Sequence, residues 1–172
     1  WFMSQRNRIS TQVIHEGYKP EPLAGCVAPP LYLSSTYVQE AVGQHRGFEY
    51  ARTNNPTRQS LEMNLSALEN ALGSSAFATG MAAISTLNQT LGTGQHVIVS
   101  SNVYGGTYRV FMDVFKNFGL DFSFVDTTRL ENLSQAFQKN TKLVFIETPT
   151  NPLMEISDIK AIAEITHENN AK

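Results

Sequence analysis

The run KLVFIET at residues 142–148 decides the fold, because it is the most strand-like stretch of the sequence. Two other runs, HVIVSS (96–101) and FSFVD (122–126), have the same apolar character, and AFA (76–78) predicts a shorter fourth strand. Continuous apolar runs of this length are typical of strands that are buried on both faces of a sheet. The sequence therefore predicts a buried central sheet.

Helical segments separate the predicted strands. Residues 81–91 predict one helix, and residues 130–138 predict another. Thr128 and Glu131 have the spacing of a capping box at the start of this second helix. Ser157 is a candidate cap for the last helix. Strands that alternate with helices predict an α/β fold, with a mostly parallel sheet and helices on both faces. The remaining apolar stripes consist of Leu61, Leu65, Leu68 and Leu72, followed by Gly73 as the predicted helix end, and of Val110, Phe111, Val114, Phe115 and Phe118.

Residues 1–56 differ in composition from the rest of the chain. They carry prolines and glycines at short intervals and show little periodicity, which predicts an irregular arm. Regular periodicity begins at Thr57, so we expect residues 57–172 to form the first part of a packed domain. Because Lys172 follows a predicted helix, where another strand is due, we expect this domain to be incomplete and the chain to be the N-terminal part of a longer protein.

Composition and charge argue against several classes of protein. The chain has 172 residues and a formal net charge of −2, and no basic stripe indicates a nucleic-acid surface. No apolar run is long enough to span a bilayer and the start does not resemble a signal peptide, so we expect a cytoplasmic protein that does not bind membranes. A single cysteine, Cys26, excludes a disulfide framework, and the scattered histidines lack the spacing of a zinc site.

Ligands of open α/β sheets bind beyond the carboxyl ends of the strands, where this sequence places several suitable residues. Gly80 opens a helix N-terminus whose free N–H groups suit a phosphate, although a plain helix cap by Thr79 explains the same residues. Tyr104 is placed either to stack on a planar ring or to serve as an ordinary loop tyrosine. Asn151 lies between two prolines, where it either contacts a ligand or only shapes the turn.

Taken together, these strand exits suit a ligand with a phosphate, a flat ring and a polar ring substituent, and pyridoxal phosphate meets this description. Four motifs then carry a resemblance, namely FEYARTNNPT (48–57), ATGMAA (78–83), VYGGTYR (103–109) and ETPTNP (147–152). In this order and spacing they resemble the Cys/Met-metabolism family of pyridoxal-phosphate enzymes, and within it the cystathionine γ-lyases first and the γ-synthases next. The resemblance implies the N-terminal part of a type I, aspartate-aminotransferase-like fold.

The resemblance also implies roles for individual residues. Gly80 and Met81 would donate backbone N–H groups to the cofactor phosphate, and Asn151 would approach the 3-oxygen of the ring. Tyr104 would stack on the pyridine ring and line the substrate site, which makes it the candidate catalytic residue. Arg109 matches a position associated with substrate binding.

Two further residues would act across a subunit boundary. In the family, the residues that match Tyr50 and Arg52 reach the cofactor phosphate and the active site of a neighbouring subunit. The resemblance therefore implies a homo-oligomer, usually a dimer of dimers, in which residues 1–56 form an arm and an inter-subunit loop. Without the family, Arg52 suits contact with a phosphate or carboxylate but is more readily explained as a solvated loop arginine.

The implied activity is γ-elimination of the sulfur amino acid cystathionine to cysteine, 2-oxobutyrate and ammonia. No lysine of this chain matches the Schiff-base lysine of the family, so we expect the 172-residue chain alone to be inactive. The alternatives are a cystathionine γ-synthase, an O-acylhomoserine sulfhydrylase and, in another class, a non-catalytic truncated α/β chain. Methionine γ-lyase is disfavoured, because Gly106 stands where its members usually carry a cysteine.

Overall fold

The computed structural model describes residues 8–172 and divides the chain into two compact units, Trp1–Phe77 and Ala78–Lys172. This division falls later in the chain than the boundary after residue 56 that composition predicts. The reason is helix α2 (Pro56–Leu68), which contacts helix α1 (Ile9–His15) and so belongs to the N-terminal unit. Residues 1–7 of the predicted arm lie outside the described residues.

The N-terminal unit contains these two helices and a small antiparallel hairpin, in which β1 (Gln39–Ala41) pairs with β2 (Gln44–His45). Asn64 on α2 holds α1 in place, since its side-chain N–H groups donate to the carbonyl oxygens of Gln12 at 3.0 Å and Glu16 at 2.9 Å. None of the described residues of this unit is buried. The unit therefore has little core of its own.

Asparagines mark both ends of helix α2. The side-chain oxygen of Asn55 caps its start by accepting the N–H of Thr57 at 2.9 Å. The helix ends at Leu68, and Asn70 follows with a φ of 58°. The prediction that Gly73 ends this helix is therefore wrong. A left-handed residue does follow the helix, but it is an asparagine, which tolerates that conformation better than most other residues.

Residues 76–78, predicted to be a strand, do not form one in the described chain. Ala76 donates its N–H to Oε1 of Glu62 at 2.9 Å, so a side chain takes the place of a strand partner. An apolar run becomes a strand only where a neighbouring strand satisfies its N–H and C=O groups. Among the described residues no strand lies beside this segment.

The C-terminal unit has an α/β fold built on a three-stranded parallel sheet. β3 (His96–Ser100) lies between β4 (Asp121–Val125) and β5 (Thr141–Phe145). All residues of β3 are buried, as expected for a continuous apolar run in a sheet that is covered on both faces. The predicted parallel sheet is confirmed.

Helices cover both faces of this sheet. Val97 and Val99 of β3 pack with Phe111 on one face, whereas Ile98 packs with Leu133 and Ile162 on the other. Among residues 8–172, no helix is both long enough and apolar enough to cross a bilayer. The helices of this unit are α3 (Gly80–Gln89), α4 (Gly105–Arg109), α5 (Leu130–Ala136) and α6 (Ile159–Glu168).

The last residue of the chain pairs with the outer edge of β5. Lys172 donates its N–H to the carbonyl oxygen of Lys142 at 3.0 Å, and its own carbonyl oxygen accepts the N–H of Val144 at 2.7 Å. Lys172 thus bonds to the two residues that flank Leu143, and this is the hydrogen-bond pattern of a parallel ladder. Lys172 therefore lies beside β5 on the side opposite β3.

The segment after α4 is helical but irregular. A π-helical turn (Val110–Val114) is followed by a 3₁₀ turn (Phe115–Phe118), and Gly119 ends the segment with a φ of 86°. Phe111 is fully buried as the apolar stripe predicts, whereas Phe118, on the same predicted stripe, is 66% exposed. The change in helical pitch explains the difference, because it rotates later side chains away from the face that earlier ones occupy.

Two predicted helix caps make other contacts. Thr128 donates its N–H and its hydroxyl to Oδ1 of Asp126, at 3.0 and 2.6 Å, and does not cap α5. Asp158 caps α6 by accepting the N–H of Ala161 at 3.0 Å, so the prediction that Ser157 is this cap is wrong. Ser157 is buried and bonds to other hydroxyl groups instead.

His96 is a buried titratable residue at the start of β3. Its Nδ1 lies 2.8 Å from Oγ1 of Thr141, and its Nε2 lies 2.9 Å from Oγ of Ser123. The side-chain amide nitrogen of Gln138 lies 3.3 Å from Nε2 of His96, and because an amide nitrogen only donates, we assign Nε2 as an acceptor and the ring proton to Nδ1, which donates to Oγ1 of Thr141. Burial lowers the pKa of His96 below its usual 6.5, and the charge of Asp121 opposes this shift only in part.

We expect the free energy of unfolding to fall as the pH drops below 6.5, the usual pKa of the His96 side chain. The unfolded chain binds the proton at that pKa, while the folded chain keeps His96 neutral. The stabilisation is therefore present above the unfolded-state pKa and is lost as the pH falls through the lower folded-state pKa.

Urea unfolding at a series of pH values measures this dependence. The His96→Gln variant should lose this part of the pH dependence, whereas His167→Gln, at an exposed histidine, should retain it. A pH dependence that is the same in His96→Gln and in the parent protein would contradict the assignment.

Candidate functional site

The carboxyl ends of β3, β4 and β5 meet in one hydrogen-bonded rim. A chain of buried hydroxyl groups joins them, since Oγ of Ser100 lies 3.2 Å from Oγ1 of Thr127, which lies 2.8 Å from Oγ of Ser157. The main-chain N–H of Glu147 donates to Oγ of Ser100 at 3.2 Å. The loops that follow the three strands are therefore tied to one another, as the convergence of parallel strand ends predicts.

The start of α3 combines a helix cap with free backbone donors. Thr79 caps the helix, because its hydroxyl accepts the N–H of Ala82 at 3.1 Å and its carbonyl accepts the N–H of Ala83 at 3.2 Å. The N–H groups of Gly80 and Met81 have no hydrogen-bond partner among residues 8–172. A Cβ built on Gly80 would meet no atom within 4 Å, so this end of the helix faces open space. The two interpretations of the sequence are compatible, because Thr79 is a cap and the free donors are still available to an anion.

Tyr104 lies at the turn between β3 and α4 and is 55% exposed. Its backbone N–H donates to Oε2 of Glu147 at 2.9 Å. Its ring lies against Gly106, because a Cβ at that position would come within 3.2 Å of Cζ of the ring and closer still to other ring atoms. The ring therefore rests on the backbone, and its remaining surface is available for stacking on a planar ligand.

Asn151 is exposed in the loop that follows β5. Asn102, two residues after β3, holds this loop by donating side-chain N–H groups to Oγ1 of Thr150 at 3.1 Å and to Oε2 of Glu155 at 3.3 Å. The N–H of Thr150 also donates to the carbonyl oxygen of Glu155 at 3.1 Å. The side chain of Asn151 makes no hydrogen bond within the described chain, so its amide is available to a ligand.

Arg109 is exposed at the end of α4. Its Nη1 lies 3.5 Å from the position of a Cβ built on Gly105, so the guanidinium group folds back toward the start of the helix. A guanidinium group beside the turn that carries Tyr104 suits a substrate carboxylate. Helix α3, which carries Gly80 and Met81, contacts α4, although no hydrogen bond joins these two residues to the rim in the part of the chain that the structure describes.

Tyr50 and Arg52 lie together in the N-terminal unit. Cζ of Arg52 is 5.0 Å from the centre of the Tyr50 ring, which is a cation–π distance. Tyr50 is 39% exposed and Arg52 is exposed, so both side chains are accessible from outside. Arg58 supports this loop by donating to the carbonyl oxygens of Arg52 at 3.4 Å and Thr53 at 2.6 Å.

The predicted set of site residues did not include Glu147 or Asn102, although both hold loops of the rim. Their signal in the sequence is their position at the end of a strand-like run, within KLVFIET for Glu147 and directly after HVIVSS for Asn102. None of the lysines among residues 8–172 lies in the loops that form the rim. Within the same described range, no group of three or more histidine, cysteine, aspartate or glutamate side chains is arranged to hold a metal ion.

Comparison with known proteins assigns a family. The profile described as Cys/Met metabolism PLP-dependent enzyme matches residues 10–172. Cystathionine gamma-lyase from Sus scrofa is 46% identical over 169 residues, which cover 98% of this chain and 42% of the relative. Cystathionine beta-lyase from Coxiella burnetii is 45% identical over 168 residues, which cover 97% of this chain and 43% of the relative.

A solved structure confirms the fold. Cystathionine gamma-lyase from Lactobacillus plantarum, crystallised with L-serine, is 41% identical and superposes with a TM-score of 0.89 over 95% of this chain and 43% of that one. The chain thus spans less than half the length of these three proteins. Its architecture agrees with the predicted N-terminal part of a type I fold, and the resemblance carried by the four motifs is confirmed. The chain therefore belongs to the Cys/Met-metabolism family of pyridoxal-phosphate-dependent enzymes.

Proposed function

We propose that the complete protein is a pyridoxal-phosphate-dependent carbon–sulfur lyase of transsulfuration, which converts cystathionine to cysteine, 2-oxobutyrate and ammonia by γ-elimination. Family membership and the cystathionine lyases among its relatives support this proposal. The observation that carries the cofactor assignment is the pair of free N–H groups on Gly80 and Met81, which face open space at a helix N-terminus. Such donors suit a phosphate monoester.

The residues present fit pyridoxal phosphate. Gly80 and Met81 would donate to its phosphate, the open face of Tyr104 would stack on its ring, and the amide of Asn151 would approach its 3-oxygen. When bound, the cofactor supplies an electron sink for the electron pairs released as substrate bonds break. The protein's part is to bind the phosphate, orient the ring and hold the substrate against it.

The substrate would be held by its charged groups. The guanidinium of Arg109 presents paired donors that match a carboxylate, and Arg52 of a neighbouring subunit would add a second such group. The Tyr104 hydroxyl makes no hydrogen bond within the described chain, so its Oη is available to hold or move a proton beside the substrate. The lysine that carries the cofactor in this family would come from outside residues 1–172.

The proposed assembly is a homo-oligomer, usually a tetramer in this family, in which Tyr50 and Arg52 complete the site of a neighbouring subunit. Their exposure and close pairing support this assignment. The absence of buried residues among the described part of the N-terminal unit supports it too, because such a unit gains a core only when another surface covers it.

Other reactions of the family are second candidates. A beta-lyase among the relatives favours β-elimination as one of them, which would yield homocysteine, pyruvate and ammonia from the same substrate. A γ-synthase or O-acylhomoserine sulfhydrylase would instead replace the acyloxy group of an activated homoserine with a sulfur nucleophile and release the carboxylate. Gly106 still argues against a methionine γ-lyase. The alternative that is not an enzyme is a non-catalytic truncated α/β chain.

The keto acid formed by the complete protein distinguishes these candidates. With cystathionine we expect 2-oxobutyrate, whereas pyruvate would assign the β-lyase reaction. A parallel assay supplies O-acylhomoserine with cysteine or sulfide, and product formed only there would assign a synthase or sulfhydrylase. If no product forms in either assay with pyridoxal phosphate present, the lyase proposal fails.

A further inference from the structure

Glu147 holds the backbone of Tyr104 across 43 residues of sequence. Its Oε2 accepts the Tyr104 N–H at 2.9 Å, and the glutamate is half-buried. A carboxylate that accepts an amide N–H makes a charge-assisted hydrogen bond, which is stronger than a neutral one. The turn that presents Tyr104 therefore has a defined anchor on the loop after β5.

Glu147 is itself anchored to the sheet. Its main-chain N–H donates to Oγ of Ser100 at 3.2 Å, and Ser100 is the last residue of β3 and only 2% exposed. Ser100 continues the buried hydroxyl chain through Thr127 to Ser157. The carboxylate thus extends from a buried, hydrogen-bonded part of the rim to the Tyr104 turn.

The ring of Tyr104 is limited from a second side. Gly106 is buried, and the ring occupies the volume that a side chain at this position would fill. The contact with Glu147 restricts the backbone conformation of Tyr104, and the contact with Gly106 restricts the position of its ring. The tyrosine hydroxyl takes part in neither contact.

We infer that Glu147 is a positioning residue, which fixes the backbone of Tyr104 so that its ring, lying on Gly106, presents its open face to the cofactor. The inference rests on the proposed function, because it concerns the ring proposed to stack on pyridoxal phosphate. Glu147 acts through Tyr104, since its Oε2 accepts the backbone N–H of Tyr104.

Amide hydrogen exchange at Tyr104 tests the contact without any cofactor. The Glu147→Ala variant should exchange this amide about tenfold faster or more, because the charge-assisted bond is lost. Glu147→Gln keeps an oxygen acceptor and should retain most of the protection. Glu131→Ala removes an exposed carboxylate on α5 and should leave the Tyr104 amide unchanged. Unchanged exchange in Glu147→Ala would overturn the inference whatever the cofactor does.

Cofactor affinity and steady-state kinetics of the complete protein test the consequence. Glu147→Ala should bind pyridoxal phosphate roughly threefold to tenfold more weakly, the range expected for a displaced stacking partner. It should lower kcat more than it raises KM, and Glu147→Gln should recover most of the loss. Wild-type affinity and turnover in Glu147→Ala, despite faster exchange at Tyr104, would also overturn the inference.

Two glycine variants separate the ring from the backbone. Gly106→Ala should displace the ring and weaken cofactor binding, while Tyr104 amide exchange stays at the wild-type rate. Gly105→Ala is the matched control, since its Cβ would meet only Nη1 of Arg109 at 3.5 Å, and it should change neither property. A parent protein that binds no pyridoxal phosphate would overturn the proposed function instead, and exchange at Tyr104 would still decide whether Glu147 holds the turn.

Discussion

Replacing Gly80 with proline is expected to weaken pyridoxal phosphate binding by roughly 10- to 100-fold. Proline removes one of the two free N–H donors, and a hydrogen bond to a charged group contributes about 1.5–3 kcal/mol. The first position of a helix accepts proline because its N–H has no partner within the helix. Thr79 already has the extended backbone that the residue before a proline prefers, with φ −146° and ψ 153°. The fold should therefore be retained.

Titration of the complete protein with the cofactor, followed by absorbance, measures this loss. Pyridoxal without the phosphate is the matched ligand, and its weaker binding should be the same in Gly80→Pro and in the parent protein. Gly80→Ala keeps the N–H and separates the loss of a donor from the added bulk. Equal affinities of Gly80→Pro and parent for pyridoxal phosphate, at an unchanged melting temperature, would contradict a phosphate site at the start of α3.

The largest effect on stability is expected from Phe111→Ala, which should lower the free energy of unfolding by about 3–5 kcal/mol. Phe111 is 0% exposed, and its ring centre lies 4.9 Å from that of Phe122 and 5.5 Å from that of Phe145. Truncation removes these contacts and leaves a cavity between the helical segment and the sheet. Phe118→Ala is the matched control in the same segment, because Phe118 is 66% exposed. It should cost less than about 1 kcal/mol.

Urea unfolding followed by circular dichroism compares the two variants. Phe111→Ala should shift the midpoint to clearly lower urea, and Phe118→Ala should stay close to the parent. Equal shifts in both variants would mean that the apolar cluster around Val97 and Val99 does not carry the stability of this unit.

The centre of the sheet is predictable from sequence alone because its signal is local. Val97 and Val99 face one apolar cluster and Ile98 faces the other, so a strand covered on both sides has no polar position to interrupt the run. Residues 76–78 carry a similar local signal, yet form no strand among the described residues. A strand needs a neighbour, which a short apolar run does not reveal.

The site is predictable only in part, for the same reason. The exits of parallel strands share one edge, so the strand pattern of the sequence is enough to place the motifs of Tyr104 and Asn151 at one rim. The bond between Glu147 and Tyr104 depends on the register of two strands and on a side-chain rotamer, neither of which the sequence shows. Likewise, Asn70 and Gly73 both tolerate a left-handed backbone, and the sequence alone does not show which of them follows α2.

A crystal structure of the complete protein with bound pyridoxal phosphate tests the proposed cofactor site most directly. We predict phosphate oxygens within about 3 Å of the main-chain nitrogens of Gly80 and Met81, with the pyridine ring stacked on Tyr104. A phosphate bound elsewhere, with these two N–H groups left to solvent, would contradict the proposed site.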